Sequence, residues 1–329
     1  MSSRVLAQRL RSRFQSLQHA ARVRIDSIRE SDGPFGVLYA YYERDRDVHA
    51  PVLGSAIALR LFLFMIPCIL TVVGLANVLH LQEVLGDLLD AARTESSVAE
   101  DVLDAASTSG RGGFGLALSG IVLVLWTGRS LATVLTACSL GAWRMPARQP
   151  RPKARMLVAL VGLMFAIVVG TILMGRIRAF GGLALTTASI VATVALYSAA
   201  WFAISLILPR ATNDPGAQLP GAALVGIGLS LLQLTVSLWL PQRISNASET
   251  MGTLASAVVS LGYLFFVGRL TSVSFVVNAV TFERIGSVSQ LVFSLPGVRA
   301  VPRRWPRVAA YFDLARSSDE ARVPPETIA

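Results

Sequence analysis

PVLGSAIALRLFLFMIPCILTVVGLANVL, residues 51–79, carries a single charged side chain, Arg60. A hydrocarbon core about 30 Å thick needs roughly 20 apolar residues in a helix, so this run is long enough to cross a membrane. Its apolar residues are continuous instead of alternating two by two, which excludes a barrel strand. A helix is left, because it satisfies every backbone polar group inside the segment. Pro67, inside the run, predicts a kink. Working outward, runs of the same kind follow at 114–142, 156–175, 183–208, 218–240 and 253–282. The whole chain agrees: 53% of its residues are hydrophobic and 15% charged, against about 25% charged in soluble domains. The predicted fold is all-α, a polytopic membrane protein with a six-helix transmembrane domain over 51–282. Residues 1–50 and 283–329 are its flanking segments.

The direction of the spans follows from where the basic residues lie. The segment before residue 51 holds nine Arg, and the connection 143–155 holds Arg144, Arg148, Arg151, Lys153 and Arg155 with no acid. The connection 80–113 reverses the balance, with two Arg against Glu83, Asp87, Asp90, Glu95, Glu100, Asp101 and Asp104. With both termini cytoplasmic, 22 of the 30 basic residues fall on the inner side and five on the outer side, and three lie within the spans. This predicts a multi-pass membrane protein with both termini cytoplasmic. The net charge of +10 is then a solvated face that meets anionic inner-leaflet lipid, and it requires no nucleic acid partner. Among the basic residues 29 are Arg and one is Lys, which suggests a GC-rich bacterial genome.

The flanks have patterns of their own. Leu6, Leu10, Phe14, Leu17, Ala21, Ile25 and Ile28 recur at three- and four-residue steps among arginines, the pattern of an amphipathic helix lying on the inner leaflet. Helical spacing in Leu81, Val84, Leu85, Leu88 and Leu89, and again in Val98, Val102 and Leu103, predicts two short outer-side helices. The tail beyond about 300, with Pro302, Pro306, Pro324 and Pro325 among charges, reads as partly disordered.

Chemistry has few candidates. His19, His49 and His80 lie in different flanks and cannot share a metal, and no acid lies inside a span. The expectation is therefore no enzyme, no cofactor and no metal. Cys68 and Cys138 fall in apolar runs and read as small buried hydrophobes. Trp143, Trp201 and Trp239 lie toward span ends and read as interface anchors, with Trp126 deeper.

Three arginines stand inside spans: Arg60, Arg129 and Arg269. Each costs roughly 2.5–3.5 kcal/mol at a helix centre on the insertion scale, so none is expected to face lipid unassisted. Arg129 follows Gly128 and shares a helical face with Thr133 and Thr136; Arg269 follows Gly268 and shares one with Ser272 and Gly262. One reading is an anion site, with Arg129, Arg269, Arg60, Thr133 and Ser272 binding a carboxylate or phosphate in a central cavity. The other is structural, with the guanidiniums bonding carbonyls and holding helices together. In the fifth span Gly221, Ala222, Gly226 and Gly228 form a small-residue face for close helix packing.

The order of these features resembles the YihY/BrkB family of bacterial inner-membrane proteins, formerly labelled ribonuclease BN-like. The resemblance runs from about Phe35 to Arg284. It is carried by Leu61-Phe62-Leu63-Phe64-Met65-Ile66-Pro67, by Leu208-Pro209 with Leu219-Pro220-Gly221-Ala222, and by Val277-Asn278-Ala279. Ser274 to Val276 replace the family's Gly-Ala-Glu, and Arg60 stands where the family usually has an aromatic. The resemblance implies six spans with cytoplasmic ends and suspected roles in envelope transport. The ribonuclease label gains no support from these residues. The functional expectation is a transporter or exporter of an anionic solute, lipid included. The alternative is a non-transporting scaffold or lipid-binding envelope protein.

Overall fold

The computed structural model describes residues 33–78, 113–146, 156–162, 183–251, 253–294 and 312. The expected amphipathic helix within 1–30, the two short helices within 80–113, the far part of the third span and the proline-rich tail lie outside the described residues. Among the described residues there is no strand. The helices are α1 (Pro34–Asp47), α2 (Ala50–Val78), α3 (Gly113–Ala142), α4 (Leu183–Ile207), a one-turn 3-10 helix (Pro215–Gln218), α5 (Leu219–Met251), α6 (Thr253–Arg284) and α7 (Val288–Ser294). Five apolar stretches are long enough to cross a membrane: Ala50–Val72, Ala117–Ala142, Thr187–Ile207, Pro215–Thr235 and Leu261–Arg284. Each coincides with an expected span. Of the remaining one, 156–175, residues 156–162 are described, and they are helical.

Two differences from the sequence reading have physical reasons. Helix α5 continues to Met251, about three turns beyond the expected end at 240. Hydropathy marks where apolar residues stop, whereas a polar helix can go on past that point. Helix α1 had no counterpart among the expected elements. It starts at Pro34, whose fixed φ and missing N–H suit the first helical position, and it ends in a tight turn. The Val48 N–H donates to the Arg44 carbonyl and the His49 N–H to the Arg46 carbonyl, both at 3.0 Å. His49 takes φ 52°, a left-handed conformation uncommon for a residue with a Cβ, and this reverses the chain into α2 within two residues.

Helices α2 and α3 pack against each other, as do α4 and α5, and α6 joins the two pairs by packing on both α2 and α5. The lower half of α6 is accordingly buried on most sides, through Thr271, Ser272, Ser274, Phe275, Val276, Asn278, Ala279 and Val280. The approach of α6 to α2 is at backbone distance. A Cβ added at Gly268 would sit 2.9 Å from the Ala58 nitrogen, and one at Gly54 would sit 3.1 Å from the Arg269 Cα. The glycines of α5 serve two neighbours instead of a single face. Gly221 lies against Asn278 and Gly228 against Leu270 on α6, whereas Gly226 lies against Ser198 on α4.

The tryptophans also correct an expectation. Trp143 and Trp201 are core residues and not interface anchors. Trp143 packs edge-on against Phe282. Trp201 lies against Phe275 and donates its indole N–H to the Ser274 hydroxyl at 3.0 Å. For Trp201 the neighbouring helix offers both a ring and an acceptor, whereas among the described residues Trp143 gains the Phe282 ring without an acceptor for its indole N–H.

A buried polar network joins the start of α5 to α6 and α7. Asp214 caps the 3-10 helix by accepting the Gly216 N–H at 2.8 Å, and its same oxygen accepts the Ser289 hydroxyl at 2.8 Å. The Asn278 amide donates to Gln218 Oε1 at 2.8 Å and accepts the Gly221 N–H at 2.7 Å. Asn278→Ala orphans both partners in a fully buried setting. An unsatisfied buried group costs about 1–3 kcal/mol, so the variant is expected to lose roughly 2–4 kcal/mol in a detergent unfolding titration. A loss well below 1 kcal/mol would show that the network is dispensable.

Candidate functional site

The three span arginines do not converge. Among the described residues they share no hydrogen-bond or ion-pair partner, and each is handled differently.

Arg60 of α2 turns toward α3. Its Nη1 donates to both the carbonyl and the hydroxyl of Ser130, each at 2.7 Å. Ser130 follows Arg129, so the two helices bring these neighbours together without bringing the guanidiniums together. The α2–α3 contact is tight here: a Cβ on Gly128 would meet the Phe64 ring at 2.9 Å. The small residue beside Arg129 therefore makes room for a ring of the neighbouring helix.

Arg269 of α6 finds an acid after all, from outside the spans. Its Nη1 and Nη2 donate to Oδ1 and Oδ2 of Asp45 on α1 at 2.8 and 2.7 Å, the parallel two-bond fork of a guanidinium–carboxylate pair. The side chains remain 31% and 20% exposed. Gly268, beside it, is filled by the backbone of α2, and Ser272 donates its hydroxyl to the Arg269 carbonyl at 2.9 Å. Gly262 is exposed, with no atom within 4 Å of an added Cβ.

Arg129 of α3 is exposed, and among the described residues its guanidinium has no hydrogen-bond or ion-pair partner. It lies 12 residues from Ala117 and 13 from Ala142, the ends of its apolar stretch, which at 1.5 Å per residue is about 18 Å from either end. Leu118, Val122, Leu125 and Trp126 flank it on the same open face, all exposed. Thr133, one turn on, is exposed and donates its hydroxyl to the Arg129 carbonyl at 2.8 Å. Thr136, expected beside it, faces inward instead, buried against the Met156 sulfur at 3.9 Å.

The sequence reading missed the charges of α1. Arg44 is 4% exposed; its Nη1 donates to the Ala142 carbonyl at 2.5 Å and its Nη2 to Glu283 at 2.6 Å. Asp47 lies 3.5 Å from Arg144, and the Tyr41 and Thr281 hydroxyls are hydrogen-bonded at 2.8 Å. A clue was present in the sequence: Glu43 to Asp47 alternate in sign directly before a span, a pattern that offers partners to charges on other helices. Cys138 is buried and Cys68 half-buried, both free. Among the described residues no three His, Cys, Asp or Glu side chains gather to hold a metal ion.

A family model described as virulence factor BrkB matches residues 41–291. That stretch takes in the second half of α1, the five apolar helices and the start of α7. No curated protein and no solved structure matches the chain. The match covers most of the chain, and together with several apolar helices of spanning length it makes this a multi-pass membrane protein that belongs to the YihY/BrkB family.

Proposed function

We propose that this protein transports or exports an anionic solute across the bacterial inner membrane, with Arg129 meeting the anion at mid-span and Arg269 as a second guanidinium. Anionic lipid headgroups and free phosphate or carboxylate solutes share the chemistry that would be recognised. Thr133, Ser272 and Arg60 act around these two by holding helix backbones. No catalytic step is part of the proposal, and the basic distribution along the chain supports a topology with both termini in the cytoplasm.

The observation that supports the reading is Arg129, exposed in the middle of an apolar stretch and, among the described residues, without a hydrogen-bond or ion-pair partner. A guanidinium there costs roughly 2.5–3.5 kcal/mol, and an anion that accepts its five N–H donors would remove that cost. The second reading, a scaffold that binds lipids or other membrane proteins, is favoured by Arg60 and Arg269, which are both satisfied within the protein.

The two are separated by a flux measurement on the full chain in phosphatidylcholine vesicles. Movement of a labelled short-chain phosphatidylglycerol is followed in one arm and inorganic phosphate in another. Transport predicts that the wild type accelerates one of them and that Arg129→Ala does not. If neither probe moves with the wild type while anionic lipid still binds, the scaffold reading stands.

A further inference from the structure

Helix α1 is tied to the bundle by charge much more than by apolar burial. Of its 14 residues, Gly36 and Arg44 are buried, while Phe35, Leu38 and Tyr42 are 76%, 68% and 62% exposed. Its polar attachments to other described helices include the Asp45–Arg269 fork, the Arg44 contacts to Glu283 and the Ala142 carbonyl, the Asp47–Arg144 pair, and the Tyr41–Thr281 hydrogen bond. An element with few buried apolar contacts opens at lower free energy than the core it lies on. By contrast, the backbone of Arg269 is fixed, because Gly268 and Gly54 hold α6 against α2 at a distance that admits no Cβ. The rigid partner is therefore the guanidinium, and the releasable one is the carboxylate.

We propose that α1 is a latch and that Asp45 is an intramolecular competitor for the anion: its carboxylate occupies, in the two-bond geometry of a bound carboxylate or phosphate, the place on Arg269 that an incoming anion takes. This rests on the anion reading given above. In the latched state Arg269 is neutralised, and α1 is clamped across α6 and the end of α3. An anion that reaches Arg269 displaces Asp45 and removes that attachment of α1, while Arg44 keeps the helix on Glu283 and the Ala142 carbonyl. Apparent affinity is lowered by the fraction of time the latch is closed, so a latch closed about nine-tenths of the time weakens binding about tenfold. Asp45 thereby sets the threshold for anion entry.

The test is a thermal-stability titration of the full chain in neutral detergent. Dioctanoyl phosphatidylglycerol probes a lipid headgroup, and inorganic phosphate and acetate, in separate arms, probe free anions. Amide exchange over residues 34–47 is read alongside. Asp45→Asn is expected to bind whichever probe the wild type binds about tenfold more tightly, and exchange in α1 of the wild type is expected to rise when that probe is added. The swap Asp45→Arg with Arg269→Asp keeps the pair, and with it folding, but places a carboxylate on α6. It is expected to unfold like the wild type and to respond more weakly to the probe. If Asp45→Asn and the wild type bind equally and α1 exchange does not change, the latch is wrong and the anion reading survives. If no probe stabilises any variant, the anion reading falls and the latch falls with it. Should Asp45→Asn fail to fold, the comparison of the swap with the wild type decides, and equal responses overturn the latch.

Discussion

Gly268→Val is expected to be among the most damaging single substitutions in the described part of the protein. A Cβ at this position would overlap the Gly54 carbonyl and sit 2.9 Å from the Ala58 nitrogen and 3.2 Å from the Ala58 Cβ. These are largely backbone atoms of α2, which cannot rotate away as the end of a side chain can. The helices must separate, and branched methyls increase the separation. Overpacking of a fitted interface costs typically 1–3 kcal/mol and occasionally more, and at a backbone crossing a loss on the order of 3 kcal/mol is expected. Gly268→Ala should cost about a third of that, since only the Cβ has to be accommodated. The separation also carries Arg269 away from Asp45, so α1 should lose amide-exchange protection together with the stability. Equal stability of Gly268→Val and the wild type in detergent unfolding would show that the α2–α6 crossing is looser than described.

Arg129→Ala is expected to have the largest effect on function and little effect on folding. The side chain is exposed and among the described residues its guanidinium has no partner, so none of those residues is orphaned by its removal. Removing a charge from an apolar stretch should even favour insertion. Hydrogen bonds to a charged group contribute about 1.5–3 kcal/mol net, which corresponds to a loss of roughly ten- to hundredfold in anion affinity. Arg129→Lys keeps the charge but not the planar fork, so it should fall between the wild type and Arg129→Ala. An affinity that depends only on charge, with Lys equal to Arg, would point to general attraction in place of bidentate recognition.

The spans were legible because an apolar run of sufficient length has few alternatives. The five described ones begin and end near the positions read from hydropathy, except where α5 runs on past Pro241. Intramembrane arginines were equally easy to find, because charge is rare in such runs. Their partners were not. Asp45 precedes the first span and reaches Arg269, 224 residues away, only because the turn at Val48 and His49 folds α1 back onto α6. Gly128 and Gly268 stand beside arginines, and the space they leave is filled by Phe64 and by the α2 backbone. A small residue is equally suited to a cavity and to a close crossing, and sequence alone does not distinguish them. The Asp214, Gln218, Asn278 and Ser289 network was missed for a similar reason: each is an ordinary polar residue at a helix end or in a long apolar helix, and only packing shows that they meet. Val276 is 2% exposed in the core.

The proposed transport turns on Arg129 as the group that meets an anion within the membrane. Its most direct test is equilibrium binding of dioctanoyl phosphatidylglycerol to the full chain in neutral detergent, with dioctanoyl phosphatidylcholine as the uncharged-headgroup control, for the wild type and Arg129→Ala. The account predicts that the wild type prefers the anionic lipid and that Arg129→Ala loses that preference, with binding weakened about ten- to hundredfold. Equal dissociation constants for the anionic lipid in the two proteins would contradict it.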